Sequence, residues 1–279
     1  MASRDIYADR LGRHAIEAKR LDEQFRIITE ALGWLLHPLV ANNLGEAPRI
    51  ADFATGTGLF LLLLSELYPG ARLDSYDISS AMFLSDKNVQ LSVAKAKDPL
   101  PANLHGVYDV IHIRFLSVAM EPDDWKLVLR NMVPLLKPGG VIQWTEPDFS
   151  TVQYLGGEPD STTSTMTKLS LMFRSGGLQQ RFSHGWSTLP TIMERCGLRV
   201  ERDVVSSDRV VASRRVLTEN ALVAMLGFAR MLAAKQTMES GQPELTASQI
   251  ETMKASAMKE IESGCYVRYD VHTAIGFKP

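Results

Sequence analysis

The stretch "RIADFATGTGLFLLLLSELYPG" (49–70) constrains this chain more than any other. A short apolar run closes on Asp52-Phe53, Gly56 and Gly58 follow, and a continuous apolar helix pattern begins at once, stopped by Pro69-Gly70. A strand that turns through glycines straight into a buried helix is the opening unit of a parallel α/β sheet. The turn sets backbone N–H groups and a helix N-terminus beside bare Cα atoms, where a nucleoside-like ligand can approach closely. The alternative is a glycine-rich turn with no ligand.

The segments that follow keep the same rhythm. "ARLDSYDI" (71–78) reads as a second strand, "SSAMFLSDKN" (79–88) as a helix, "VQLSVAKA" (89–96) as a third strand and "YDVIHIRF" (108–115) as a fourth. "PDDWKLVLRNMVPLLK" (122–137) reads as a helix with "KPGG" as its stop, and "VIQWTEPDF" (141–149) as a fifth strand. Upstream, residues 14–36 have the apolar spacing of an amphipathic helix. Beyond 150 the pattern changes to a helix reaching Arg174, a helix and strand over 185–208, helices at 215–236 and 248–262, and a closing strand at 266–278. Ser248 and Glu251 have capping-box spacing.

The glycine loop separates three ligand classes. A phosphate-binding P-loop ends in Gly-Lys-Ser/Thr, whereas Gly58 is followed by Leu59-Phe60. A dinucleotide fingerprint needs a third glycine, and Leu61 stands there. An S-adenosylmethionine loop needs acid-x-Gly-x-Gly-x-Gly; Asp52-Phe53-Ala54-Thr55-Gly56-Thr57-Gly58 matches it except at Ala54. Asp77, at the end of the second strand, is placed to accept hydrogen bonds from a ribose diol.

Composition narrows the partners. The 279 residues carry a formal net charge of −2 and no dense Lys/Arg run, which argues against nucleic acid. Cys196 and Cys265 lie far apart with no CxxC, so zinc is not expected and a reduced, cytoplasmic setting fits. The charged N-terminus does not read as a signal peptide. The longest apolar run, Leu59 to Leu64, falls well short of the roughly 20 residues of a membrane span, so no membrane is expected.

With "EAKRLDEQF" (17–25), "DFATGTG" (52–58), "YDIS" (76–79), "HGVYDVIHIRFL" (105–116), "LLKPGGVIQWTEPDF" (135–149) and the closing "IGFKP", the chain resembles class I S-adenosylmethionine-dependent methyltransferases. More narrowly it is similar to the fungal secondary-metabolite methyltransferases. The resemblance implies a Rossmann-like, mostly parallel seven-stranded sheet with an antiparallel last strand, N-terminal helices and a helical lid. It implies one methyltransferase domain over 1–279: a helical cap (1–45), a cofactor-binding core (46–150), lid segments (151–184 and 209–265) and final strands (185–208 and 266–279).

By the same resemblance the cofactor is S-adenosylmethionine, released as S-adenosylhomocysteine. Asp52, Ala54, Thr55, Gly56, Thr57 and Gly58 would hold its methionine part, and Asp77 with Ile78 its ribose. Arg20 and Gln24 would cap it, Tyr7 would reach its carboxylate, and Arg114 and Phe115 would approach the sulfonium or the substrate. The chain departs from the family after the third strand. An acid usually accepts a bond from the adenine amino group there, and Lys95 cannot. Asp98, or the backbone of Ala96 with apolar contacts, then takes that place.

Methyl transfer is an in-line displacement from an activated leaving group, so positioning matters more than a strong base. Candidate bases are Glu146 and Asp148 after the fifth strand, the alternative being a solvated loop or helix cap, and His184, the alternative being a loop histidine bonded to backbone. His112, inside a strand, reads as a satisfied core histidine. Arg114 either orients an anionic substrate or pairs with a carboxylate such as Glu146. With Arg114-Phe115 and Glu146-Pro147-Asp148 at the positions where metal-dependent relatives carry their ligands, no metal is expected. The methionines of the second half suit lid-helix cores, with Met225, Phe228 and Met231 also suited to an adaptable pocket. The expected activity is methylation of a small natural product, first of all at oxygen, with a homodimer compatible. A non-methylating enzyme of this fold and a partner-binding regulator are the alternatives.

Overall fold

The computed structural model describes residues 15–84, 89–175, 179–240 and 245–279, with the backbone alone at 179, 180, 182–184 and 238–240. One seven-stranded sheet organises them, in the order β3-β2-β1-β4-β5-β7-β6. Its strands are β1 (Arg49–Phe53), β2 (Arg72–Asp77), β3 (Val89–Val93), β4 (Tyr108–Arg114), β5 (Leu136–Gly156), β6 (Arg199–Ser206) and β7 (Cys265–Phe277). The pairs from β3 to β5 are parallel, and β7 runs antiparallel to both β5 and β6. This is the sheet that the resemblance implies, including its antiparallel last strand.

Helices cover both faces, as right-handed crossovers require. The helices α2 (Pro38–Ala41) and α3 (Leu59–Leu67) lie on one face, where Val40, Phe60, Leu61 and Leu64 pack against Ile50, Val110 and Ile275. On the other, α4 (Asp124–Met132) and α6 (Gln179–Arg195) pack Trp125, Leu189 and Met193 against Phe53, Ile113 and Trp144. Alternation along the buried strands feeds both cores, so neither face is left to solvent.

Three more helices, α5 (Ser164–Ser175), α7 (Arg214–Ser240) and α8 (Ala247–Glu262), share a separate core of Met166, Leu169, Leu222, Met225, Leu226 and Ile261. They stand over the strand tips, beside α1 (Ala15–Leu32). Met166 and Met225 fill this core and Met193 the sheet core. Phe228 is buried in a small cluster against which Met231 packs.

Several elements differ from expectation. The helix expected over 79–88 is absent where described: Ser79–Leu84 form turns and extended chain after the Asp77 carboxylate has accepted the Ser79 N–H. The fifth strand is longer than 141–149. Beyond a register shift between Asp148 and Gln153 it pairs again with β7, through Gly156 and Cys265, so a bulged ribbon rises into the region expected to be lid. "KPGG" lies inside that strand, and α4 closes earlier through a 3-10 turn at Val133–Leu135. The α6 helix begins at Gln179 rather than 185. Thr246, not Ser248, caps α8, with Gln249 completing the box. Within Val211–Thr237, which contains the apolar stretch 221–226, an 18-residue window with a mean hydropathy of 1.4 is long and apolar enough by length and composition to cross a membrane, and part of it is buried within the fold.

Candidate active site

A cavity of about 300 Å³ opens at the C-terminal ends of β1, β2 and β4, where open α/β sheets receive ligands. Its floor is the β1–α3 loop. Ala54 there has φ +58°, a left-handed conformation unusual for a residue with a Cβ. Phe115, at the tip of the adjacent β4, has φ +55°. Both residues line the cavity, so the two strand ends beneath it hold the two left-handed non-glycine residues among those described. Clustering of such strain at a cleft marks a site whose backbone is over-determined by its surroundings.

The two glycines have different tasks. Gly56 (φ +60°) lines the cavity, and a Cβ placed on it would meet no atom within 4 Å. Gly58 (φ +83°) caps α3 behind the wall, where a Cβ would lie 2.6 Å from the Phe83 ring. The expectation that Gly58 faces the ligand is corrected: its left-handed turn and the Phe83 ring demand the glycine. Thr55 and Thr57 line the cavity, and Thr57 donates to Asp22 on α1, tying that helix to the loop.

Asp77 is buried at the end of β2 and lines the cavity with Ile78. Its carboxylate accepts the Gly56 N–H at 2.9 Å and the Ser79 N–H at 3.0 Å, fixing the loop's shape. Asp52 also lines the cavity. One oxygen accepts from Thr55 Oγ1 at 2.6 Å and the other lies 2.8 Å from His112 Nδ1. His112 is therefore more than a core histidine. It contributes to the wall, stacks on Phe60 at 3.7 Å, and burial lowers its pKa against the pull of Asp52. Sequence spacing does hold the signal for this pair: Asp52 and His112 fall at facing positions of two apolar strands, which become neighbours once β1 and β4 pair.

Arg20 and Gln24 line the cavity from α1, as expected. Arg20 is gripped by both Glu17 oxygens (2.7 and 2.9 Å) and donates to Asn220 of α7. Arg114 lines it from β4, but does not pair with Glu146. Its Nη1 donates to Thr29 Oγ1 at 2.8 Å, its Nη2 to the Phe25 carbonyl at 3.2 Å, and the guanidinium lies over the Phe25 ring. Burial draws its pKa down to about 9.

Glu146 and Asp148 do not meet the cavity. Pro147 and Phe149 line it, so strand alternation turns Glu146 and Asp148 away. Glu146 is buried and accepts from Trp144 Nε1 (2.7 Å) and from the backbone N–H groups of Leu116 (2.8 Å) and Ser117 (3.1 Å). Burial pushes its pKa up to about 7 against those donors. Asp148 accepts the N–H and hydroxyl of Ser150 and lies 3.9 Å from His272 Nε2. Residue 184 falls within α6, but the His184 side chain lies outside the described residues, as does Tyr7. After β3, Lys95 and Ala96 line the cavity whereas Asp98 does not, so no carboxylate replaces the missing adenine acid. Among the described residues no group of three His, Cys, Asp or Glu side chains is placed to hold a metal.

This architecture has known counterparts. Residues 51–142 match the family model described as "Methyltransferase domain". Over these residues the chain carries a methyltransferase domain. Methyltransferase grgD of Penicillium sp is 32% identical over 170 residues, covering 55% of this chain and 56% of that protein. N-methyltransferase verN of Clonostachys rogersoniana is 29% identical over 143 residues, covering 49% of each. The chain thus spans about half the length of these curated relatives. In fold, the methyltransferase domain is like a chain from the complex between the Haloferax volcanii Trm112 methyltransferase activator and a methyltransferase. The TM-score is 0.53 at 14% identity, over 99% of this chain and 97% of that one.

Proposed function

We propose that the chain transfers the methyl group of S-adenosylmethionine to a small, largely apolar acceptor. One observation carries this reading. The cavity has a polar end, built from the loop, Asp77 and the residues after β3, and an apolar end, built from Phe115, Phe149 and Phe173. The polar end suits the cofactor: Gly56 leaves open space on the cavity side, and Asp77 presents a buried carboxylate at the cavity wall, held in place by the Gly56 and Ser79 N–H groups among its partners. Gln24 and Arg20 would cover it from α1, and Ala94 to Ala96 would line the adenine, without the usual acid.

When bound, S-adenosylmethionine supplies a methyl group already activated on a sulfonium. The protein's share is then to orient the acceptor and exclude water. The loop Phe115–Met120 forms much of the acceptor wall, and Glu146 fixes its start through two backbone bonds. Glu146 is a positioning residue in this reading, and no side-chain base is assigned. A hydroxyl acceptor fits a reaction without a strong base, whereas the N-methyltransferases among the relatives favour nitrogen. Catalysis without a metal belongs to the reading, because Arg114 and Phe115 stand where a metal-binding acid would be needed.

Product mass from incubation with S-adenosylmethionine and a panel of phenols, amides and amines tests the reading. A gain of one methyl, unchanged by a chelator, is expected. Absence of any methylated product across the panel, or loss with chelator and recovery with Mg²⁺, would contradict it.

A further inference from the structure

The main cavity does not end at the strand tips. It shares Gln24, Phe149, Phe173 and Ala224 with a smaller cavity of about 70 Å³ between α5, α7 and the β5–β7 ribbon. Carboxylates are confined to one end of the joined space: Asp52 and Asp77 lie at the loop, and no described acidic residue lines the smaller cavity.

The other end is rich in donors. Arg114 bonds only to neutral oxygens, and among the described residues no carboxylate pairs with it. Its pKa, about 9 after burial, leaves it charged at neutral pH. Arg174 lines the smaller cavity, and its Nε is buried with no hydrogen-bond partner among the described residues. Tyr269 lines it too, 3% exposed, and its hydroxyl has no partner among the described residues. Burial raises the pKa of that phenol, so it stays a donor, and the positive charges of Arg114 and Arg20 both reach it. Asp52 reaches the Arg114 charge only through space, and a guanidinium bonded to neutral oxygens together with buried donors lacking acceptors calls for an anion. Phe149, Val152, Phe173, Met225 and Val267 add apolar wall, interrupted by the neutral polar groups of Gln24, Ser170 and Asn220.

We infer that the acceptor is an apolar molecule bearing a carboxylate, which Arg114, Tyr269 and Arg174 receive in the joined cavity. A carboxylate accepts several N–H and O–H donors at once, and its bonds to guanidinium groups are charge-assisted. It also offsets the positive sulfonium that the cofactor brings to the same space. The inference rests on the methyl-transfer reading only in naming the anion as the acceptor.

Calorimetric titration of 3-phenylpropionate and of its neutral amide, with and without S-adenosylhomocysteine, tests it on the wild type, Arg174→Met and Arg114→Met. The acid should bind at least about tenfold more tightly than the amide. Either substitution should bring the ratio close to one, and Arg174→Met should leave S-adenosylhomocysteine affinity within about twofold. Arg174 sits on the lid, so its variant decides the matter even where Arg114→Met fails to fold. Equal affinities, no binding of either probe, or an acid preference that survives Arg174→Met would overturn the inference. So would an Arg114→Met variant that loses S-adenosylhomocysteine binding and keeps the preference, because Arg114 would then hold the cofactor's carboxylate. Failure of the wild type to bind S-adenosylhomocysteine contradicts the methyl-transfer reading instead, and the acid-to-amide ratio still decides the anion site.

Discussion

Ala54 keeps a left-handed backbone at φ +58°, which costs an L-residue about 1–2 kcal/mol. Glycine removes that cost and loses part of the gain to the entropy of the unfolded chain. Ala54→Gly is therefore expected to stabilise the protein by about 0.5–1 kcal/mol, raising Tm by about 2 °C, with cofactor affinity little changed. Gly58→Ala works the other way. It meets both a positive φ and the Phe83 ring, and should lose at least about 2 kcal/mol in chemical denaturation. The motif was legible in sequence at this scale, but the division of labour within it was not. Residue type shows that Gly56 and Gly58 flank a turn; only the packed position of Phe83 tells which one faces the ligand.

Between β4 and β5 the decisive residue is Glu146. Its folded pKa of about 7 lies above the unfolded value of 4.5, so the native state binds the extra proton in that interval. Stability should fall as pH rises from about 4.5 to 7, by up to about 3 kcal/mol, and level off above. Glu146→Gln should remove that slope and turn an amide N–H₂ toward a backbone N–H donor. Its acceptor KM should rise while S-adenosylhomocysteine affinity holds, as paired kinetic and calorimetric titrations can show. The helix cap of α8 gives a cleaner local test: Thr246→Ala should cost about 1 kcal/mol, and Ser248→Ala little. In "TASQIE" two overlapping capping-box frames satisfy the same spacing, and the helix uses the earlier one. The long β5 was hidden for a related reason. Ser150 and Thr151 read as the strand end, yet pairing with β7 carries the strand through a bulge. Strand alternation then decides which of residues 146–149 reach the cavity.

Across the whole molecule, alternation of apolar strands and helices from 49 to 149 was enough to foresee the sheet and the end at which a ligand enters. Beyond Phe115, the apolar end of the cavity was not foreseeable, since it gathers Phe149, Phe173, Arg174 and Tyr269 from separate elements. The helix α1 joins the two ends: Asp22 accepts from the loop, Thr29 from β4, and Asn220 of α7 grips Arg20 and Glu23. Cofactor binding should therefore order the cap as well as fill the loop. The central claim is that the β1 loop and Asp77 bind S-adenosylmethionine. Calorimetric titration of the wild type beside Asp77→Asn, which keeps one acceptor oxygen for the loop, tests it most directly. One equivalent bound, with affinity reduced at least about tenfold by the substitution, is the predicted result. No binding by the wild type, or equal affinity in the two proteins, would contradict the account.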